Sequence, residues 1–152
     1  MIALEILPMF CVGPLRIGSD APAVYTALGA CEHRENRTPD VSTDFWLGGR
    51  FQVHYAGASP RVTLIEVALD PRVVPRLFGI PLFAKKASEL KRQIASFASV
   101  HFESWDSSMQ CVCPSLELAL RRNDRDDDYF SGVAVGRLGY FSSAERGRAL
   151  VR

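Results

Sequence analysis

Apolar residues recur with two different periods along the chain, and each period predicts a type of secondary structure. Between residues 85 and 97, Ala87, Leu90, Ile94 and Phe97 recur at helical spacing, with polar residues between them. This spacing places the apolar side chains on one face of an α-helix. The segment therefore predicts the clearest helix of the chain.

A second, shorter helix is predicted near the start of the chain. Ser19 or Asp20 can cap its amino end, and Pro22 is tolerated in a first helical turn. Gly29 stands where a glycine commonly ends a helix. We therefore expect this helix to end at about residue 28.

Alternating and continuous apolar runs predict strands in the rest of the chain. The expected strands are residues 2–10, 44–47, 49–55, 61–69, 109–113, 115–121 and 129–136, with one more at 138–141. The polar stretch 31–44, the proline-containing stretch 70–75 and the charged stretch 123–128 are expected to be loops. Residues 77–83 are apolar and rich in turn residues, so we expect them to be buried and extended.

This order of elements predicts an α+β fold in a single domain spanning residues 1–152. The two halves, 13–69 and 79–136, share a turn, a helix, a long loop and a hairpin, which suggests an internal repeat. Coincidence is the other explanation, because any two α+β segments share apolar spacing. A genuine repeat would form one antiparallel sheet with both main helices packed on one face, leaving the other face open.

Composition and charge narrow the classes of function. The chain has 152 residues, of which 47% are hydrophobic and 23% are charged, so a globular domain is expected. Its 18 basic and 17 acidic residues give a net charge of +1. A protein that binds nucleic acid usually has a clear basic excess, so we expect no nucleic-acid partner. No apolar stretch approaches the roughly 20 residues of a membrane span, and the N-terminus lacks a basic leader, so we expect no membrane partner and a cytoplasmic protein.

Cysteine, histidine and serine positions give no signature of catalysis or of a metal site. The four cysteines lie at Cys11, Cys31, Cys111 and Cys113, without the paired spacing typical of zinc sites, and we interpret them as buried free thiols. The three histidines are scattered, and no nucleophile elbow or phosphate-binding loop occurs. We therefore expect no catalytic residue, no metal and no cofactor.

Two polar segments with aromatic residues are the candidate partner-binding surface. Trp105 stands in a run of acidic and serine residues next to Asp106, and tryptophan is enriched at interaction hot spots. The second segment is an acidic knob, Asp126, Asp127 and Asp128, followed by Tyr129. Such a knob could enter a basic cleft on a partner, although a solvated hairpin tip is the simpler interpretation.

Several segments resemble small bacterial immunity proteins of polymorphic toxin systems. The segments read G-P-L-R-I-G, V-T-L-I-E-V, L-F-G-I-P-L-F, P-S-L-E-L-A-L-R and Y-F-S-G-V-A-V-G-R-L-G-Y-F. The tandem arrangement of helix and antiparallel sheet is also similar to the scaffold of beta-lactamase inhibitor proteins, which bind enzymes across a concave sheet. The resemblance implies a protein that neutralises a cognate toxin by direct binding.

The leading hypothesis is therefore a non-catalytic immunity protein that binds a cognate toxin or effector through the two candidate segments. The alternative is a small-molecule-binding module or small enzyme, with a pocket between sheet and helices and His54 or His101 as its polar group. A homodimer formed through the open sheet face or the edge at residues 138–141 is a further alternative.

Overall fold

The protein folds into two sheets and two helices in the computed structural model, which describes residues 1–106 and 108–143. The smaller sheet has the strand order β3-β2-β1-β8-β9. Its strands are β1 (Ile2–Leu7), β2 (Cys11–Val12), β3 (Leu15–Arg16), β8 (Val73–Leu77) and β9 (Ile80–Pro81). Strands β1 and β8 pair in parallel, and the other pairs of this sheet are antiparallel.

The larger sheet has eight strands in the order β10-β11-β12-β13-β7-β6-β5-β4, and every neighbouring pair is antiparallel. The strands from the first half are β4 (His33–Thr38), β5 (Val41–Trp46), β6 (Phe51–Ala56) and β7 (Arg61–Ala68). Those from the second half are β10 (Glu103–Trp105), β11 (Gln110–Cys113), β12 (Leu118–Arg121) and β13 (Gly132–Gly136). The two halves meet where β7 pairs with β13.

The first helix, α1 (Ala21–Leu28), begins and ends as its sequence predicts. The carboxylate of Asp20 accepts a hydrogen bond of 3.0 Å from the Ala23 amide, which is the capping contact expected at a helix N-terminus. Gly29 follows the last turn at a φ of 83°, a backbone conformation that favours glycine. Both ends of α1 are therefore confirmed.

The second helix, α2 (Ala87–Ala98), is the amphipathic helix expected from apolar spacing. Its buried residues are Ala87, Leu90 and Ile94, and together with Val24 of α1 they belong to the main apolar core. The same core contains alternate residues of the large sheet, including Phe51, Val53, Tyr55, Val67, Leu118, Leu120, Val133 and Val135. The expected α+β fold, with both helices on one side of an antiparallel sheet, is confirmed.

A bulge in β7 explains why its apolar residues alternate imperfectly. Tyr55 of β6 pairs with Val62, whereas its neighbour His54 pairs with Leu64, so Thr63 is an extra residue on β7. An extra residue shifts the alternation by one position. Val62 therefore faces the core, while Leu64 lies on the opposite face of the sheet in a second apolar cluster.

A buried polar network joins β4, β5 and α1 on the core side of the sheet. The Asp44 side chain is fully buried and accepts hydrogen bonds from Arg34 Nε (2.6 Å) and Nη2 (2.8 Å). The Tyr25 hydroxyl donates a further hydrogen bond of 2.7 Å to Asp44 Oδ2. Every oxygen of this buried carboxylate thus has a partner, as a buried charge requires.

Four sequence-based assignments are wrong. Residues 31–44 contain β4 and the start of β5 instead of a loop; every residue of β4 is exposed, so this edge strand has no apolar pattern to reveal it. Residues 73–75 belong to β8 instead of a connector, and the short strand β10 was not expected. Residues 138–141 form turns instead of a strand, because β13 ends at Gly136 and none of the strands that the structure describes pairs with the segment after it.

The two halves present a similar order of elements. Each has a strand of the small sheet, a helix, two strands of the large sheet, a short 3-10 turn and two more strands. Phe51 pairs with Trp46 across the first 3-10 turn, and Leu118 pairs with Cys113 across the second, so Phe51 and Leu118 hold equivalent positions. Common descent of the two halves stays a prediction.

Candidate functional site

The face of the large sheet opposite the helices carries a group of polar side chains that converge on a cavity. The cavity has a volume of about 500 Å³, within the roughly 300–1,000 Å³ usual for ligand pockets. We refer to this surface as the open face. Its main polar lining residues are Arg37, Gln52, His54, Glu66, Gln110 and Arg121.

The cavity owes its depth to small residues on the central strands. Ala134 of β13 lies between Glu66 of β7 and Ala119 of β12 in one cross-strand row, and Gly132 pairs with Ala68 and with Arg121. Methyl groups and glycines leave the middle of the sheet without tall side chains. The floor of the cavity is therefore close to the backbone, and its walls are formed by larger neighbours.

One wall is formed by the segment after β13, which Glu117 anchors. The Glu117 side chain is buried and accepts hydrogen bonds from the amides of Phe141 (3.3 Å) and Ser142 (2.9 Å). Phe141 packs with Leu64, Val112 and Ala119 in the second apolar cluster. These contacts hold the segment across the second-half side of the open face, and none of the other residues among 1–106 and 108–143 covers the cavity.

The opposite wall contains a hydrogen-bonded chain of Thr43, His54 and Glu66. His54 Nε2 lies 2.7 Å from Glu66 Oε2, and its Nδ1 lies 2.9 Å from Thr43 Oγ1. An ionised carboxylate can only accept, so Nε2 donates to Glu66. The order of groups is like that of a nucleophile, base and orienting acid, but Thr43 is only 1% exposed. Its hydroxyl is therefore inaccessible to a substrate, and the chain serves to fix the imidazole.

Positive charge surrounds Glu66. Burial would raise the pKa of Glu66, but the hydrogen bond from His54 and the charges of His54, Arg121 and Arg37 outweigh burial and hold that pKa below its usual value. Glu66 is therefore ionised at neutral pH. The cavity is lined by three arginines, of which Arg50 is paired with Asp70, and by one carboxylate, so a net positive charge remains there.

Trp105 and Asp106 lie at one end of the open face. Trp105 is the last residue of β10, is half-buried and packs near Phe141, with 6.4 Å between ring centroids. Its indole Nε1 donates to the Glu103 carboxylate at 3.2 Å. Asp106 follows in the turn to β11, is exposed and has a φ of 51°. Trp105 therefore serves in part as packing, with one side still accessible.

The acidic knob lies in the loop between β12 and β13. Asp126, Asp127, Asp128 and Tyr129 are all exposed. Within the loop, Asp124 Oδ1 accepts from the Asp126 amide at 2.9 Å, and Asp127 Oδ2 accepts from the Asp124 amide at 3.0 Å. These local bonds shape the tip and leave carboxylate oxygens facing solvent.

Arg122 joins the two predicted segments. Its guanidinium donates to the Ser108 carbonyl (3.1 Å) in the turn after β10, and to the Asp127 carbonyl (3.0 Å) in the acidic loop. Its amide also donates to the Met109 carbonyl at 3.0 Å. The structure thus brings the two segments, distant in sequence, to the same end of the large sheet. Whether a partner binds there stays a prediction.

The other residues considered from sequence are not gathered into a site. His101 is exposed beside Glu103 (3.5 Å), and His33 is exposed on β4. Cys111 and Cys113 are buried, whereas Cys11 and Cys31 are half-buried. Across residues 1–106 and 108–143, no group of three or more His, Cys, Asp or Glu side chains could hold a metal ion.

The cavity of the open face does not lie between sheet and helices, where the small-molecule alternative places its pocket. A second cavity of about 840 Å³ does lie between β9 of the small sheet and α2, lined by Ile80, Pro81, Arg92 and Phe97 among others. The small-molecule alternative therefore stays a prediction. The sequence alone suggested His54 as a polar group of a pocket but did not single out Glu66, Arg37 or Arg121. The last three residues of V-T-L-I-E-V place Glu66 between the core residues Ile65 and Val67, which gives Glu66 an outward position, and that signal could have paired it with His54. Within the described part of the chain, no helix is long and apolar enough to cross a membrane.

Comparison with known proteins identifies the fold only. No family model matches the chain, and no curated protein matches it. A solved structure of an extracellular protein containing an SCP domain, from Bacillus anthracis strain Ames, is similar with a TM-score of 0.56 and 14% identity. The match covers 85% of this chain and 46% of that one, so this chain spans about half the length of the Bacillus protein.

Proposed function

We propose that this protein is a non-catalytic binding protein, of the immunity type, that neutralises a cognate toxin or effector by direct contact. The observation that carries the proposal is the joining of the two predicted segments by Arg122 at one end of an open sheet face. A surface built from separate loops and fixed to a rigid sheet suits recognition of a folded partner. The partner would lie against the rim formed by Trp105, Asp106 and residues 126–129.

The chemistry of this rim favours a basic partner surface. Asp106, Asp126, Asp127 and Asp128 are exposed, so their charges are available to a positively charged cleft. Complementary charge of this kind accelerates association and excludes partners of the wrong sign. Trp105 and Tyr129, which is 46% exposed, add apolar surface next to the charges. The combination resembles an interaction hot spot with a polar rim.

Two further features support a non-catalytic role and the cytoplasmic location expected from the sequence. His54 is hydrogen-bonded through both ring nitrogens, which leaves neither nitrogen for proton transfer to a substrate in that arrangement. Four cysteines are free, which suits the reducing cytoplasm. The extracellular location of the Bacillus protein is a property of that protein.

Co-purification from the native host, including products of adjacent genes, tests the proposal. We expect one stoichiometric partner that is toxic when expressed alone, and weaker capture by the Asp126→Lys, Asp127→Lys variant. The matched control is Glu35→Lys with Asp40→Lys, which changes the charge equally on exposed residues of the distant β4–β5 hairpin.

Equal capture by the acidic-loop variant and the control would remove that loop from the interface. Recovery of the bare protein, with the candidate partner shown to be expressed, would contradict the proposal. If sedimentation then gave a dimer without a second protein, self-association through the open face would replace it.

A second function, the binding of a small molecule, is favoured by the cavity of about 500 Å³ on the open face. Its polar lining and enclosed floor are features of ligand pockets rather than of flat protein interfaces. Saturable stabilisation of the purified protein by a small ligand would support this second function without any partner.

A further inference from the structure

We propose that the cavity of the open face is a binding site for a small organic acid or phosphate compound, whose anionic groups pair with Arg37 on the β4 side and with Arg121 on the β12 side. The site goes beyond the partner-binding proposal and depends on different residues. Its elements are the small-residue floor, the two guanidinium groups and the fixed His54–Glu66 pair. A ligand could therefore bind here whether or not the acidic rim contacts a protein.

The donors of the two arginines are available. In the part of the chain that the structure describes, neither the Arg37 nor the Arg121 side chain makes a hydrogen bond or an ion pair within 4.0 Å. A third lining arginine, Arg50, lies 3.5 Å from the buried Asp70 carboxylate. Guanidinium groups match carboxylate and phosphate oxygens with paired hydrogen bonds, so available arginines at a cavity favour an oxyanion.

The acidic residue of the cavity does not cancel this preference. Glu66 Oε2 is already hydrogen-bonded to His54 Nε2 at 2.7 Å. The Glu66 side chain is 32% exposed, and that of His54 is 19% exposed. The charges of Arg37 and Arg121 act on Glu66, but neither guanidinium donates a hydrogen bond to its carboxylate within the described residues. An incoming anion would therefore meet a net positive charge and unused hydrogen-bond donors.

The remaining lining defines the rest of the ligand. Gln52 donates from Nε2 to the Gly49 carbonyl at 2.9 Å, and this leaves its Oε1 as an acceptor that suits a hydroxyl group of a small polar molecule. Gln110 is only 5% exposed, so it contributes a buried polar edge to the lining. Ala134 and Gly132 leave room above the backbone between them. The shape and chemistry thus favour a compact, oxygen-rich acid over an extended apolar ligand.

Titration of the purified full chain with citrate and, separately, with inorganic phosphate tests the proposal and distinguishes carboxylate from phosphate recognition. Nuclear magnetic resonance of the histidine rings is the readout. We expect saturable shifts of His54, while His33 and His101, which lie outside the cavity, stay unchanged. Ionic strength is held constant with sodium chloride, so that general screening cannot mimic binding.

Arg121→Gln should weaken binding of the preferred probe at least tenfold, corresponding to loss of a charge-assisted hydrogen bond of about 1.4 kcal/mol or more. The matched control is Arg92→Gln, an exposed arginine of α2 outside this cavity, which should bind as the parent does. Ala134→Leu fills the floor without changing charge and should also abolish binding, so the test does not depend on one variant. Circular dichroism verifies that each variant is folded.

No saturable shift of His54 with either probe would overturn the proposal. Unchanged affinity in folded Arg121→Gln or folded Ala134→Leu would overturn it as well. Because these experiments use the isolated protein, their failure leaves the partner-binding proposal standing. Conversely, loss of partner capture in the acidic-loop variant is independent of this cavity.

Discussion

The buried carboxylate of Asp44 makes a strong prediction about stability. Replacing Arg34 with methionine keeps a long side chain on β4 but removes both hydrogen bonds to Asp44, at 2.6 and 2.8 Å. Removing one member of a buried ion pair costs about 3–5 kcal/mol, because the other charge is left without compensation. The Asp44 side chain is fully buried, so this cost applies to it directly.

The expected cost lies at or below the lower end of that range for two structural reasons. The Arg34 side chain is 37% exposed, so water already screens part of the interaction. Tyr25 still donates its hydrogen bond of 2.7 Å to Asp44 after the substitution. We therefore expect the free energy of unfolding to fall by about 2–3 kcal/mol, which would lower the urea midpoint by about 1 M for a typical slope of ~2 kcal/mol/M.

The effect should depend on pH in a defined direction. Burial would raise the pKa of Asp44, but the hydrogen bonds from Arg34 and Tyr25, with the charge of Arg34, hold that pKa below its usual value. A lowered folded-state pKa stabilises the protein above the unfolded pKa of about 3.9, and this contribution is lost as pH falls through the folded value. The difference between parent and Arg34→Met should thus be largest near pH 7 and should shrink below about pH 4.

Urea unfolding followed by the fluorescence of Trp46, whose ring centroid lies 6.2 Å from that of Tyr25, measures the effect. Arg37→Met is the matched control, since it removes the same charge from the same strand at a side chain without hydrogen bonds in the described structure. Adding Asp44→Asn to Arg34→Met should restore part of the lost stability by neutralising the stranded carboxylate. Equal stability of the Arg34 and Arg37 variants at pH 7 would refute the reasoning.

Three other predictions concern thiols, the anchored segment and the core. Burial raises the pKa of Cys111 to about 11 and also raises that of Cys113. A thiol reagent at pH 8 should therefore modify Cys11 and Cys31 in the native protein, and all four cysteines in urea. Rapid modification of all four cysteines in the native protein would contradict this prediction. Glu117→Gln should lower the free energy of unfolding by about 1–2 kcal/mol and speed hydrogen exchange of the Phe141 and Ser142 amides, because it weakens two charge-assisted hydrogen bonds. Unchanged exchange would exclude Glu117 as the residue that anchors the segment after β13. Leu90→Ala on α2 should lower the free energy of unfolding by about 2–5 kcal/mol in a thermal or urea unfolding experiment, since Leu90 is fully buried in the main core. Phe97→Ala, at an exposed residue of the same helix, should lower it far less.

Local signals predicted the helices well because their causes are local. Asp20, Pro22 and Gly29 act on the backbone within a few residues, and the apolar spacing of α2 is visible in one short segment. Strand β4 could not be predicted in this way, because it is polar at every position. It is held by pairing with β5 and by the bond from Arg34 to Asp44, ten residues away.

The candidate site depends even more on long-range register. Alternation gives His54 its outward direction, but its contact with Glu66 requires the pairing of β6 with β7 across the bulge at Thr63. Arg121 reaches the same cavity only because β13 lies between β12 and β7. The predicted partner-binding rim also depends on long-range contacts, because Arg122 links two segments whose proximity no local pattern indicates.

The asymmetry of the two halves explains why a cavity forms at all. The hairpins β6–β7 and β12–β13 have matching registers, so the pair Gln52–Glu66 in the first corresponds to Ala119–Ala134 in the second. The first half places long polar side chains on the open face, whereas the second half places methyl groups there. The small residues admit the anchored segment with Phe141 on one side and leave a recess on the other. The two halves have the same order of backbone elements but differ in side-chain size at equivalent positions on the open face. This difference between the halves produces the recess with its charged groups.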